Sequence, residues 1–242
     1  MTSRSPLLLH VMLAAGILIA LHGCTPQTAT ENQDPEFKLR SAAIKVVIVI
    51  APDIQIVRRE TRGQEVQLTD YNTRVSAELV ELIANAFSQR GFEAKGGPLT
   101  ESIRLPVVSA YDELAYRQSI SDLHPALGDR HSLGSGIGLI AKQTGADALV
   151  FIKFQGLTRS SGSVASEIAK KAAIVAFSAG LIQPEKEPAG STLLDIAFVD
   201  GKTGDILWEN RDKEIWGWGT RPTFNREELS DMTTKVFANF PS

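Results

Sequence analysis

Cysteine is almost missing: Cys24 is the only one in 242 residues. A single thiol builds no disulfide framework within the chain and no thiolate metal site. Histidine is scarce as well, with four residues. The two that follow Cys24, His124 and His131, lie seven apart beside Asp122 and Asp129. That pattern is neither the converging ligand set that zinc requires nor a base set against a nucleophile. The many serines include no Gly-x-Ser-x-Gly elbow, and the adjacent carboxylates Asp112 and Glu113 would not face each other on a helix. No catalytic residue, no metal and no cofactor is therefore expected. Positive charge is not in excess either: 25 Lys and Arg stand against 28 acids, a net of −3, without the clustered basic face of a nucleic-acid binder.

What is present begins at the amino terminus. Met1–Pro6 carries one charge, Arg4, and Leu7–Leu21 is apolar except for His10. The run ends in Leu21-His22-Gly23-Cys24-Thr25. A secretory apolar core spans about 7–15 residues before a cut at small residues, whereas a membrane-spanning helix needs about 20. Residues 1–23 read as a signal peptide, with an ordinary N-terminal membrane anchor as the alternative. Here the chain resembles bacterial lipoproteins, with His22 departing from the small residue usual at that position. The resemblance implies that Cys24 is the lipidation site, carrying a diacylglyceryl group and an amide-linked acyl chain, palmitate among the chains expected. Each buried methylene contributes about 0.8 kcal/mol, so several chains hold firmly where one does not. Thr25 in place of Asp implies the outer membrane, facing the periplasm. Loss of Arg4 with the leader takes 25 basic residues to 24 against 28 acids, a net of −4.

Cys24 and the residues up to 40 are expected to form a tether. Thr25–Phe37 is polar, contains proline and has almost no large apolar group, too little to bury itself. As a flexible coil it would hold the domain roughly 20 Å from the lipid. A single domain is expected over residues 41–242. Ile44–Ala51 is a β-branched run without alternation, the signature of a strand buried on both faces. Ile54, Ile56 and Val57 would extend the pairing. Asn72–Arg90 puts Val75, Leu79, Leu82, Ile83, Ala86 and Phe87 on one helical stripe, with Gly91 as a left-handed stop and a short strand at Phe92–Lys95. Tyr111–Ile120 and Ser132–Thr144 read as helices, Ala146–Phe154, Thr192–Asp200 and Asp205–Asn210 as strands, and Glu227–Asn239 as a closing helix. Residues 201–204 (Gly-Lys-Thr-Gly) have hairpin chemistry. The fold class is α/β: a mixed β-sheet of about four to five strands packed with helices, an α/β sandwich.

Three features occur together in this order. A buried strand feeds a long amphipathic helix. Thr144-Gly145-Ala146-Asp147 ends a helix and enters a strand. Val199-Asp200 precedes Lys202-Thr203-Gly204-Asp205-Ile206-Leu207-Trp208. Across roughly Ile44–Asn239 this set resembles the periplasmic α/β domain of the curli secretion-channel lipoproteins, the lipoprotein activators of peptidoglycan synthases and the N-terminal domain of the Tol-system propeller protein. The resemblance implies a non-enzymatic role, binding or scaffolding protein partners in the cell envelope.

Other features stay open. Ser163–Ile182 interrupts the strands as an inserted helical segment, whose purely small or apolar part, Ala172–Ile182, would span about 16 Å, half a bilayer core. It packs on its own domain, contacts an oligomer or membrane surface, or spans. It lacks the alternation of a barrel strand, which disfavours a pore. A homo-oligomer is possible. Trp208, Trp216 and Trp218 either cover the sheet or form a surface for a protein partner, with a glycan such as peptidoglycan as the alternative ligand; Trp216 and Trp218 would share a strand face. Gly134-Ser135-Gly136-Ile137-Gly138 has the wrong spacing for a dinucleotide loop and reads as a loop opening a helix.

Overall fold

The computed structural model describes residues 32–61, 63–97, 100–121, 132–163, 165–166, 169–170, 189–216 and 222–241. The chain runs β1 (Asn32–Gln33), α1 (Phe37–Ser41), β2 (Val46–Val49), β3 (Asp53–Arg59), β4 (Glu65–Gln67), α2 (Thr69–Ser88) and β5 (Glu93–Gly96). It continues with α3 (Glu101–Ser121), α4 (Gly136–Thr144), β6 (Ala148–Arg159), β7 (Gly190–Asp200), β8 (Ile206–Trp216) and α5 (Arg226–Phe237).

One mixed sheet of eight strands carries the fold, in the order β1-β8-β7-β6-β2-β5, with β3 attached to β6 and β4 to β3. The twelve-residue β6 organises it. The first part of one β6 edge, Ala148–Val150, pairs in parallel with β2, and the rest, Lys153–Arg159, pairs in parallel with β3. Ala51 and Pro52 form the break between β2 and β3. A buried tyrosine closes that gap: the Tyr111 hydroxyl donates to Ala51 O (2.9 Å) and accepts from Ile152 N (3.3 Å). Desolvation pushes the Tyr111 hydroxyl pKa well above the usual tyrosine range.

Layers cover both sheet faces, as strands apolar on both sides require. Val47, Val49, Val150, Ile152 and Phe154 face α2 and α5; Ile48, Ile50, Leu149 and Phe151 face α3 and α4. The α2 stripe is buried at Val75, Leu79, Ile83, Ala84 and Phe87, and Gly91 ends the turn at φ 91°. Phe87 sits at the centre of an aromatic group, with ring centroids 5.1–5.8 Å from Phe92, Phe198, Phe237 and Phe240. Asn225 caps α5 by accepting from Glu228 N (2.9 Å), while the Glu228 carboxylate accepts from the backbone of Thr223 and Phe224. Phe224, at φ 52°, lies so close to Gly156 that a Cβ there would come within 2.6 Å of the ring.

The α/β class and the main elements agree with the sequence. The strand count does not: eight replace the expected four to five. β1 and β4 are two and three exposed residues without alternation, held by pairing rather than by their own pattern. β8 continues six residues past Asn210 through a charged stretch, because β7 pairs with it up to Trp216. α3 begins ten residues before Tyr111 and absorbs Pro106. The tether expectation is corrected over residues 32–40. Asn32 and Gln33 pair with β8, and Phe37, 2% exposed, packs against Phe198 and Phe240. One phenylalanine in a polar stretch is enough when the core offers it an aromatic slot.

Candidate functional site

Trp208 is not part of a tryptophan face. Trp208 belongs to the core: it is 0% exposed, with ring centroids 5.5 Å from Phe237 and 4.9 Å from Phe240. Its proposed place on a partner surface is therefore corrected, for a side chain with no accessible area offers none. Trp216 is half-buried at the end of β8. Trp218, Cys24 (the expected lipidation site), His124 and His131 lie outside the described residues, as does most of 163–182. Among the described residues there is no group of three or more His, Cys, Asp or Glu suited to a metal, and no helix long and apolar enough to cross a membrane.

Two polar centres are built instead. The first lies where α1 meets the β7–β8 hairpin. Arg40 donates to Asp34 Oδ2 (3.0 Å), Asp200 Oδ2 (2.8 Å), Asp205 Oδ2 (2.9 Å) and Thr203 Oγ1 (2.7 Å). Asp200 Oδ1 accepts from Lys202 N and Thr203 N, and Gly204, at φ 78°, completes the turn. Burial alone would raise the Asp200 carboxyl, but the bonds from Arg40 and the two backbone N–H groups outweigh it and hold it below the usual range. Beside this knot runs an open groove of about 590 Å³, lined by Arg40, Lys142, Asp147, Asp200 and Lys202 among others. Its acids are committed to the fold: Asp147 Oδ2 accepts from Lys45 N and Val46 N, both at 2.9 Å. Gly201 is constrained there, since a Cβ would meet Asp147 O at 2.8 Å. The Thr144–Asp147 and Asp200–Asp205 motifs thus have structural work, tying helix, strand and hairpin together. Sequence reasoning missed Arg40 and Asp34 because both fall in the supposed tether.

The second centre flanks the far half of β8. Asp212, Glu214 and Asp231 share one ammonium, that of Lys235, which bonds to Glu214 and Asp231. Asp212 Oδ2 is buried without a hydrogen-bond partner, and so is Thr192 Oγ1, whose residue pairs across the strands with Glu214. Burial first, then Glu214, pushes the Asp212 carboxyl up; Lys235 opposes and Asp231 adds to the rise. A carboxyl with a raised folded pKa costs nothing below its unfolded pKa and costs stability once pH passes the folded value. Asp212→Asn is therefore expected to raise the urea midpoint at pH 7.5. The difference from wild type should vanish near pH 3, when the acid is protonated in both states. Urea unfolding at the two pH values measures this, and an equal gain at both would remove the electrostatic cause.

No known protein family matches the sequence, and no curated protein matches it. Among solved structures, the chain is similar to a PelC dodecamer from Paraburkholderia phytofirmans at 8% identity and a TM-score of 0.40, over 87% of this chain and 94% of that one. It is also similar to lipoprotein GNA1162 from Neisseria meningitidis at 12% identity and a TM-score of 0.32, over 81% and 99%. The LpoB C-terminal domain from Salmonella enterica matches at 14% identity and a TM-score of 0.27, over 74% and 93%. Overlaps this loose say nothing about what the present chain binds or does.

Proposed function

We propose that this chain is a lipid-anchored protein of the outer membrane, facing the periplasm, that works without catalysis by holding protein partners of the cell envelope. The observation that carries this reading is the placement of Cys24. It follows an apolar run of signal-peptide length that ends in Gly23, and only residues 25–31 separate it from Asn32, the first residue of β1. Such an anchor keeps one domain close to the membrane. The polar groups of the groove support a binding role over a chemical one, because Asp147, Asp200 and Arg40 are spent on fixing backbone and hairpin. The glycan alternative, with Trp216 and Trp218 as its platform, is left to one side: Trp216 is half-buried and Trp218 lies outside the described residues.

Mass spectrometry of the protein from envelopes should show an amino terminus at Cys24 carrying acyl mass. Cross-linking in intact cells should give adducts with the same partner in repeated preparations. An unmodified terminus upstream of Cys24 overturns the anchor. Adducts identical to those of an unrelated lipoprotein overturn the partner.

A further inference from the structure

β8 is eleven residues long, yet among the described residues its outer edge carries a partner strand over only two, Trp208 and Glu209. Strand parity aims the peptide groups of Arg211, Lys213 and Ile215 at that edge. Leu207 O, of the same parity, accepts from Asp34 N, whereas Trp216 O, of the other parity, turns inward to Ala189 N. Asn210 Oδ1 accepts from Arg211 N (2.8 Å). A side-chain oxygen thus serves one N–H of this edge, as the carbonyl of an added strand would. Ile215, further along the edge, is 59% exposed.

The charges on this edge select the occupant. A second copy pairing antiparallel about Lys213 would set Lys213 against Lys213 and Asp212 against Glu214. Centred on Asp212, the pairing sets Asp212 against itself and Arg211 against Lys213; centred on Glu214, it sets Glu214 against itself. Like charges directly opposite are destabilising, so the registers centred on the charged residues 212–214 are disfavoured for a second copy. Three carboxylates with one lysine leave room for further positive charge, and Asp212 Oδ2 is unmatched.

We propose that the outer edge of β8 over Asn210–Trp216 docks an extended segment of a partner protein, with Lys or Arg opposite Asp212 and Glu214 and an acid opposite Lys213. The main chain would add as a strand, and the alternating charges would fix partner and register. The inference rests on the protein-binding reading above and deepens it.

The test uses the full acylated chain in detergent and two seven-residue peptides of Val and Thr around a central triplet, Lys-Glu-Arg or its reversal, Glu-Lys-Asp. Binding is followed through the backbone amide resonances of Lys213 and Ile215. The first peptide is expected to bind, with the reversed one about tenfold weaker or worse. Lys213→Pro should abolish binding while leaving the β7 pairing intact, because the lost N–H faces outward. If that variant does not fold, Lys213→Glu serves instead, and its lost affinity should return when the central Glu of the peptide becomes Lys. Equal binding of the two peptides, no binding of either at millimolar concentration, or a Lys213 variant that binds like wild type overturns the proposal. Failure here with cross-links intact removes the edge alone; failed cross-links with a binding peptide remove the envelope partner alone.

Discussion

Trp208→Ala is expected to destabilise the domain by about 4 kcal/mol, the range for removing a fully buried aromatic side chain. The indole fills the space between β8 and the end of α5, against Phe237 and Phe240, and an alanine methyl would leave most of that space empty. Trp208→Phe should cost far less, under about 1.5 kcal/mol, because it keeps most of the volume. It also deletes an indole N–H that is buried without a partner. Guanidinium unfolding of the three proteins measures the contrast. A loss below 1 kcal/mol (~) for the alanine variant, with partner cross-links weakened, would return Trp208 to a binding role.

The second large effect is expected at Arg40. Arg40→Ala should cost about 3 kcal/mol, since it leaves Asp34, Asp200 and Asp205 crowded together without their shared cation. The side chains of Arg40 and Asp34 are 13% and 2% exposed, so water replaces the lost partner poorly. Arg40→Lys should recover only part, because one ammonium cannot span three carboxylates and a hydroxyl as a planar guanidinium does. The sign of the pH dependence follows from Asp200. Its folded pKa is depressed, so its contribution is present above the unfolded pKa and lost as pH falls through the folded one. The gap between wild type and Arg40→Ala should therefore narrow on acidification, as the unpaired acids take up protons. Urea midpoints at pH 7 and pH 3 measure it, and a gap that widens at pH 3 would contradict the ionic account. The N-terminal arm should also loosen in the variant, read as faster amide exchange at Asp34 and Phe37.

Much of the scaffold was legible because it is written in local patterns. The α2 stripe and Gly91 predict a helix and its stop, and the unbroken run around Val47–Ile50 predicts a strand covered on both faces. The hairpin after Asp200 follows from Gly204, the one residue of that turn at positive φ. The site was far less legible. Arg40 acquires meaning only from Asp200 and Asp205, 160 and 165 residues away. Three tryptophans within eleven residues look like a surface, and only packing against α5 separates buried Trp208 from half-buried Trp216.

By itself the sequence determined the α/β class, the helical stripes, the stops at Gly91 and Gly145, and the expectation that Cys24 takes an anchor. These depend on contacts within a few residues, whose spacing fixes which faces are apolar. Tertiary structure alone decided the length of β8, the burial of Trp208, the docking of Phe37 and the shared cation at Arg40. Each of these depends on a neighbour far along the chain, and no local pattern says which distant side chain will arrive to accept a ring or a charge.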